Sequence, residues 1–433
     1  MGPLVRHSER PVERDNDGGM VKKKRIVILG GGFAGLRAFY RLNRLGDSDI
    51  VLVDPRDTSL VRPLLPEIAL AGKMVSHALI PLRPLIEHHG GEFVHGGVSA
   101  VDAKEAQLTL SDGRRMAYDY LFIAVGARKD YDAIPGYRAH GYSVCDDLEA
   151  PRLYERLRRF EGGRVVIGSA RSSWGSRVTA PDLAAPCEGP IIEIMFMLDH
   201  ELRRRGLHEG SAIRVFSPGK IFVEDVGPRV HADLEPLVKA SGIQVETNKM
   251  LRAIHQDHVE FDDGATWESD LAIVIPPYAA HAFVKDSVGL GDEQGFIPTD
   301  QTMRHLDFDN IYAAGDGTAL AMPKLGHIAV HQADVGAAAL RRAITGQGEI
   351  PSYRPEVFCI ANRGGGEATL ILSDALFGGA VDLTLGGPIA HLFKWSFDSY
   401  YFHTHGHMPP DALTNGMEQL LVRAFNDTHT SPR

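Results

Sequence analysis

Residues 24–29, KRIVIL, form a basic-edged apolar run that stops abruptly in Gly30-Gly31-Gly32-Phe33-Ala34-Gly35. An apolar run without alternation is what a strand buried on both faces of a parallel sheet requires. Beyond the glycines, Leu36, Phe39 and Tyr40 recur at helical spacing as far as Gly46, which predicts a helix capped by glycine. The next strand, Asp49 to Val53, closes at Asp54. Strand, glycine loop, helix, strand and terminal acid make up a dinucleotide-binding unit. Gly30 turns the chain, Gly32 lets the backbone approach a pyrophosphate, Gly35 lets helix and strand pack, and Asp54 accepts from ribose hydroxyls. Phe33 and Ala34 complete the loop. These residues alone leave the cofactor open between NAD and FAD.

Two later segments bear on that choice. Residues 118–127, YDYLFIAVGA, follow a hairpin-like stretch and resemble the A-T-G segment that flavoproteins place beside the FAD pyrophosphate, here as Ala124, Val125 and Gly126. Residues 310–316, NIYAAGD, resemble the strand and turn whose acid holds the ribityl and phosphate region, which makes Gly315 and Asp316 cofactor-binding candidates. This order implies FAD, held by a domain that a second domain interrupts.

The inserted region repeats the doubly wound pattern in IRVFSP, HADLEPLVKASG and IQVETN, but its own glycine loop is broken. The strand GRVVIG at 163–168 runs into SARSSWG, where Ala170 and Trp174 fall at the positions that must meet a pyrophosphate. Tight binding of a second dinucleotide is therefore not expected. Downstream, Cys187 immediately precedes the apolar-faced helix predicted in IIEIMFMLDHELRRRG. The free N–H groups and positive dipole end of a helix N-terminus favour a thiolate there. Only two further cysteines exist, Cys145 and Cys359, too far apart in sequence for a zinc knuckle, and no metal is expected.

Cys187-Glu-Gly-Pro-x-x-Glu193, together with Ser143-Val-Cys145-Asp146, Phe358-Cys359-Ile-Ala-Asn and Pro323-Lys324-Leu-Gly326, is similar to the segments around the three redox cysteines and the P-K-x-G turn of the sulfide:quinone oxidoreductase family. The resemblance covers residues 23–402. That family is kin to flavocytochrome c sulfide dehydrogenase and type II NADH dehydrogenases. Departures are the extra stretch at 169–185, Val125 in the A-x-G segment and a shortened interval between Cys187 and Cys359.

The resemblance implies that Cys187 and Cys359 form the redox pair, that hydrosulfide attacks it, and that electrons pass through FAD to a membrane quinone. Cys359 is the sulfur such enzymes usually place against the flavin. For Cys145 two roles stand open, sulfur release or a covalent link to the flavin. Lys324, followed by Gly326 at a helix start, is the candidate cation for the reduced flavin's pyrimidine edge. Glu193 is the candidate proton relay, with partnership to the helix dipole as the alternative. His231, His327 and His331 offer further bases, none of them assigned a role. The competing readings are a type II NADH:quinone oxidoreductase, a sulfide dehydrogenase using cytochrome c, and a flavin-binding redox sensor without turnover.

Residues 370–402 are rich in aromatic groups with few charges, which suits an interfacial membrane segment. Phe393 and Tyr401 are the candidate quinone walls. The net charge of -10 argues against nucleic acid as a partner. The first twenty residues are polar, carry no apolar core of secretory type and read as a disordered extension. The expectation is an α/β protein with two Rossmann-like domains: extension 1–21, FAD domain 22–130 and 290–348, second domain 131–289, and a membrane- and quinone-associating region 349–433. It is placed peripherally on the cytoplasmic membrane, and a homo-oligomer is left open.

Overall fold

In the computed structural model, which describes residues 23–46, 48–178, 181, 183–320 and 322–426, KRIVIL is the central strand of the first sheet. The extension expected at 1–21 lies outside these residues. β1 (Lys24–Leu29) carries Ile26, Val27 and Ile28 fully buried, because both faces of its sheet are covered. It leads through the glycines to α1 (Phe33–Leu42), then to β2 (Ser48–Asp54), β3 (Glu92–His95) and β4 (Tyr120–Ile123).

The inserted domain supplies β5 (Gly141–Tyr142), β6 (Gly163–Ser169), α2 (Gly189–Arg204), β7 (Ser211–Phe216), β8 (Gln244–Glu246) and β9 (Leu271–Ile275). The chain then returns with β10 (Ile311–Ala313) and α3 (Gly326–Thr345). Two five-stranded parallel sheets result, ordered β10-β4-β1-β2-β3 and β5-β9-β6-β7-β8. The chain crosses between them at Arg128–Lys129 and Tyr278–Ala279, and these crossings pair antiparallel with each other. The return comes before residue 289, where it was expected. Val284, in the helix Ala282–Asp286, already belongs to the core around Val27 and Leu29.

Residues 370–402 do not form one interfacial segment. Their first part lies in a three-stranded antiparallel sheet of β11 (Val357–Gly364), β12 (Glu367–Ser373) and β13 (Asp382–Gly387). Every residue of β12 from Ala368 onward is buried. Only then come α4 (Pro388–His403) and α5 (Asp411–Leu421). The alternation of apolar and polar positions in VDLTLGG marks a strand rather than a helix, a pattern that the aromatic count obscured.

Candidate active site

The glycine loop has the geometry that a dinucleotide cradle needs. Gly30 sits at φ +98, and a Cβ there would stand 2.4 Å from the carbonyl oxygen of Ala124, so the A-V-G segment crosses directly over it. A Cβ on Gly35 would lie 1.8 Å from the carbonyl oxygen of Gly30, so α1 and the loop can approach only with glycine here. Around Gly32 there is nothing within 4 Å, which leaves its backbone open to the cavity. α1 starts without a side-chain cap and without an acid in its first turn, so its N–H groups are available to a phosphate. At the end of β2, Asp54 accepts from the Gly31 N–H at 2.6 Å and the Arg56 N–H at 2.7 Å. Burial raises the Asp54 carboxyl above its usual range, against the pull of those two donors.

The cavity over this loop holds ≈ 1110 Å³, at the upper end of single-ligand sites. Ala124, Val125, Gly126, Gly315, Asp316, Lys324 and Gly326 share its wall with Gly30, Gly32, Phe33, Ala34 and Asp54. The residues therefore fit a dinucleotide stretched from the first glycine loop to the N-terminus of α3. Gly35 stands behind the wall and acts through packing.

The sulfur chemistry lines the same cavity. Cys145, Cys187 and Cys359 are free thiols on its wall. Cys187 and Cys359 face one small space: a Cβ built on Gly189, the first residue of α2, would be 3.2 Å from the Cys359 sulfur and 3.9 Å from the Cys187 sulfur. The glycine of the C-E-G-P segment thus makes room for the pair. The expectation of a thiolate at Cys187 does not hold for this state. Burial pushes its thiol well above the usual value, with Asp225 and the Cys359 sulfur adding to the effect, and the Gly189 N–H opposes them only in part. The Cys359 thiol is pushed up to about 12 by burial, with Glu193 adding and Lys394 opposing. Cys145 is raised by burial too, against the nearby Lys129. Lys129 is itself pushed down to about 8 by burial and stands 3.4 Å over the Tyr278 ring.

Glu193 is not a solvated dipole partner. It is buried, its Oε1 is 3.3 Å from the Lys394 Nζ, and it accepts from the Asn362 N–H at 3.3 Å. Burial lifts it to about 7, against the Lys394 charge. Lys394 also approaches Asp398 at 3.8 Å, donates to the Pro63 carbonyl at 3.1 Å, and shares the neighbourhood of Glu67, which accepts from the Asn362 amide at 3.2 Å. Burial acts to lower Lys394, but Glu193 and Asp398 outweigh it and hold the amine above its ordinary value. Asp398 rises to about 6 by burial, against Lys394. Sequence reading missed this network of Glu67, Asn362, Lys394 and Asp398. Its one signal was Lys394 and Asp398 at helical i,i+4 spacing inside an aromatic stretch.

Lys324 is half-buried and donates to the Asp316 carbonyl at 2.9 Å. Burial lowers it to about 8, with Asp316 opposing. Phe393 lines the cavity, but Tyr401 does not. Tyr401 turns inward and stacks on Phe33 at 4.8 Å between ring centres, because its face of α4 packs on α1. Phe397 and Tyr400 take the wall positions instead.

The loop after β6 is fixed in place by more than bulk. Its Ser176 N–H is held by Asp292 at 2.7 Å, Arg177 pairs with Asp307 at 2.6 Å, and a Cβ on Gly175 would lie 2.5 Å from the Ala319 backbone. The segment is pinned onto the first domain, and Lys324 stands over the Trp174 ring.

A family model described as pyridine nucleotide-disulphide oxidoreductase matches residues 24–333. The sulfide-quinone reductase of Aquifex aeolicus (strain VF5) is 24% identical over 434 residues, covering 94% of this chain and 96% of that protein. An X-ray structure of the sulfide:quinone oxidoreductase from the hyperthermophilic bacterium Aquifex aeolicus superposes with a TM-score of 0.80 at 22% identity, covering 92% of this chain and 95% of that one. The mitochondrial external alternative NAD(P)H-ubiquinone oxidoreductase B4 of Arabidopsis thaliana is also 24% identical, over 73% of this chain and 59% of that protein. With the family model running through both parallel sheets and the glycine cradle, the chain belongs to the pyridine nucleotide-disulphide oxidoreductase family and is an FAD oxidoreductase.

Proposed function

We propose that this chain is a sulfide:quinone oxidoreductase. The observation that carries the reading is the convergence of Cys187 and Cys359 over Gly189 on the wall of the dinucleotide cavity, with Cys145 on the same wall. The pinned loop after β6 supports sulfide rather than NADH as the donor.

Bound in the cradle, FAD supplies a two-electron carrier between the sulfur side and the quinone side. Hydrosulfide adds to one sulfur of the oxidised Cys187–Cys359 pair and the S–S bond breaks. The electron pair departs on the other sulfur, leaving one persulfide and one thiolate. By the resemblance, Cys359 is the sulfur next to the flavin, and the nearby Lys394 charge favours its thiolate form against burial. Sulfur accumulates and leaves as polysulfide or elemental sulfur. Cys145 serves that release or links the flavin covalently.

The quinone takes up two electrons and two protons. Glu193, held at about 7 inside the cavity wall, is the donor poised for that transfer, with Phe393, Phe397 and Tyr400 as apolar walls. Lys324, on the cavity wall beside Asp316, would hold negative charge on bound FAD. The quinone reaches the cavity from a membrane surface. α4 and α5 expose Ile389, Leu392, Trp395, Leu413 and Leu420, each more than half accessible, on the C-terminal face. Among the described residues no helix is long and apolar enough to cross a membrane, so peripheral docking through this face is proposed.

The test is anaerobic flavin absorbance on mixing with sulfide or, separately, with NADH, followed by a soluble quinone. Sulfide is expected to bleach the flavin and quinone to restore it, and Cys187→Ala or Cys359→Ala should abolish the bleaching. Bleaching by NADH and not by sulfide would overturn the proposal.

A further inference from the structure

His327 and His331 lie one helical turn apart at the start of α3, and Glu356 stands just before β11. One ligand atom from each can be chosen so that all three lie within 4.8 Å of one another. The His327 Nε2 is 2.9 Å from Glu356 Oε1, and the two imidazole rings are 4.2 Å apart. The His331 imidazole hydrogen-bonds to none of the described residues, so the His327–Glu356 contact leaves it unaccounted for. Around His331 the remaining charges are Asp334 and Arg37, which pair with each other at 2.7 Å.

We propose that His327, His331 and Glu356 form a divalent transition-metal site of the zinc class, at the seam between the FAD domain and the C-terminal region. Two imidazoles at i,i+4 and a carboxylate are a set that selects Zn²⁺, Cu²⁺ or Ni²⁺ over Mg²⁺ and Ca²⁺, which prefer oxygen ligands. A tetrahedral ion at such a site keeps one position for water. The ion bridges α3, whose N-terminus opens on the cavity, to the strand that carries Cys359. His327 packs 5.4 Å from the Phe358 ring, next to Cys359, so occupancy stiffens the wall that carries the third cysteine.

The test is a Zn²⁺ titration of flavin-loaded, chelator-washed enzyme against a chromophoric chelator. One equivalent per chain is expected, and affinity should fall by more than about tenfold in His331→Ala and in Glu356→Gln. His77→Ala, an exposed histidine far from the cluster in sequence, should bind as the parent does. Unchanged flavin absorbance checks that each variant is folded. The isosteric Glu356→Gln keeps the question answerable if the histidine variants fold poorly. Zn²⁺ should also raise the flavin-release temperature of the parent and not of these variants. No binding, or equal binding by parent and variants, overturns the proposal, and neither outcome bears on whether sulfide is the substrate.

Discussion

Lys394→Met keeps most of the side-chain volume of a buried lysine and removes its charge from between Glu193 and Asp398. In the parent, burial raises Glu193 from its ordinary 4.5 to about 7. An acid with a raised folded pKa binds its proton more tightly in the folded state. Its contribution to stability is therefore full below the unfolded value and is lost as pH rises through the folded one. At about 1.4 kcal/mol per pH unit, Glu193 gives up about 3 kcal/mol between about pH 4.5 and about pH 7. Without Lys394 the Glu193 pKa rises further, and so does that of Asp398, already at about 6. Breaking a buried pair costs about 3 to 5 kcal/mol, which extends the window of loss by at least about two pH units. The variant should therefore be close to the parent at about pH 6 and progressively less stable up to about pH 9. Thermal unfolding followed by flavin fluorescence across that range measures this. An equal loss at every pH, or no loss above about pH 8, would refute the reasoning.

Gly35→Ala forces a methyl to within 1.8 Å of the Gly30 carbonyl, so α1 must shift and the protein should purify with little flavin, read from its flavin-to-protein absorbance ratio; the overpacking costs about 1 to 3 kcal/mol or more. Glu193→Gln should flatten the limb of quinone-reduction rate that falls as pH rises through about 7, because the lost proton donor is the group titrating there. Leu392→Glu with Trp395→Glu should abolish flotation with liposomes while leaving sulfide bleaching in solution intact, since both side chains point away from the core.

The cradle was legible from sequence because its geometry is local. Gly30, Gly35 and Asp54 lie within one strand-loop-helix-strand unit, and backbone sterics alone dictate glycine at the crossings. Buried parallel strands were legible for a similar reason, since an apolar run without alternation has few other uses. The broken loop at 169–175 carried the expectation that a second dinucleotide is disfavoured. The ion pair and hydrogen bond that pin it to the first domain join residues more than a hundred positions apart.

The ionisation of the site was decided by the fold alone. Cys187 precedes a helix N-terminus, a local feature that argues for a thiolate, but packing buries it and desolvation wins. Glu193 reads as a first-turn acid until β11 and α4 close over it and bring Lys394 to its side. Tyr401 and Tyr400 are neighbours of one chemistry, and only the packing of α4 on α1 sends one to the core and the other to the cavity. Local sterics are carried by sequence spacing, whereas burial, and with it charge state, is a property of everything that packs around a group.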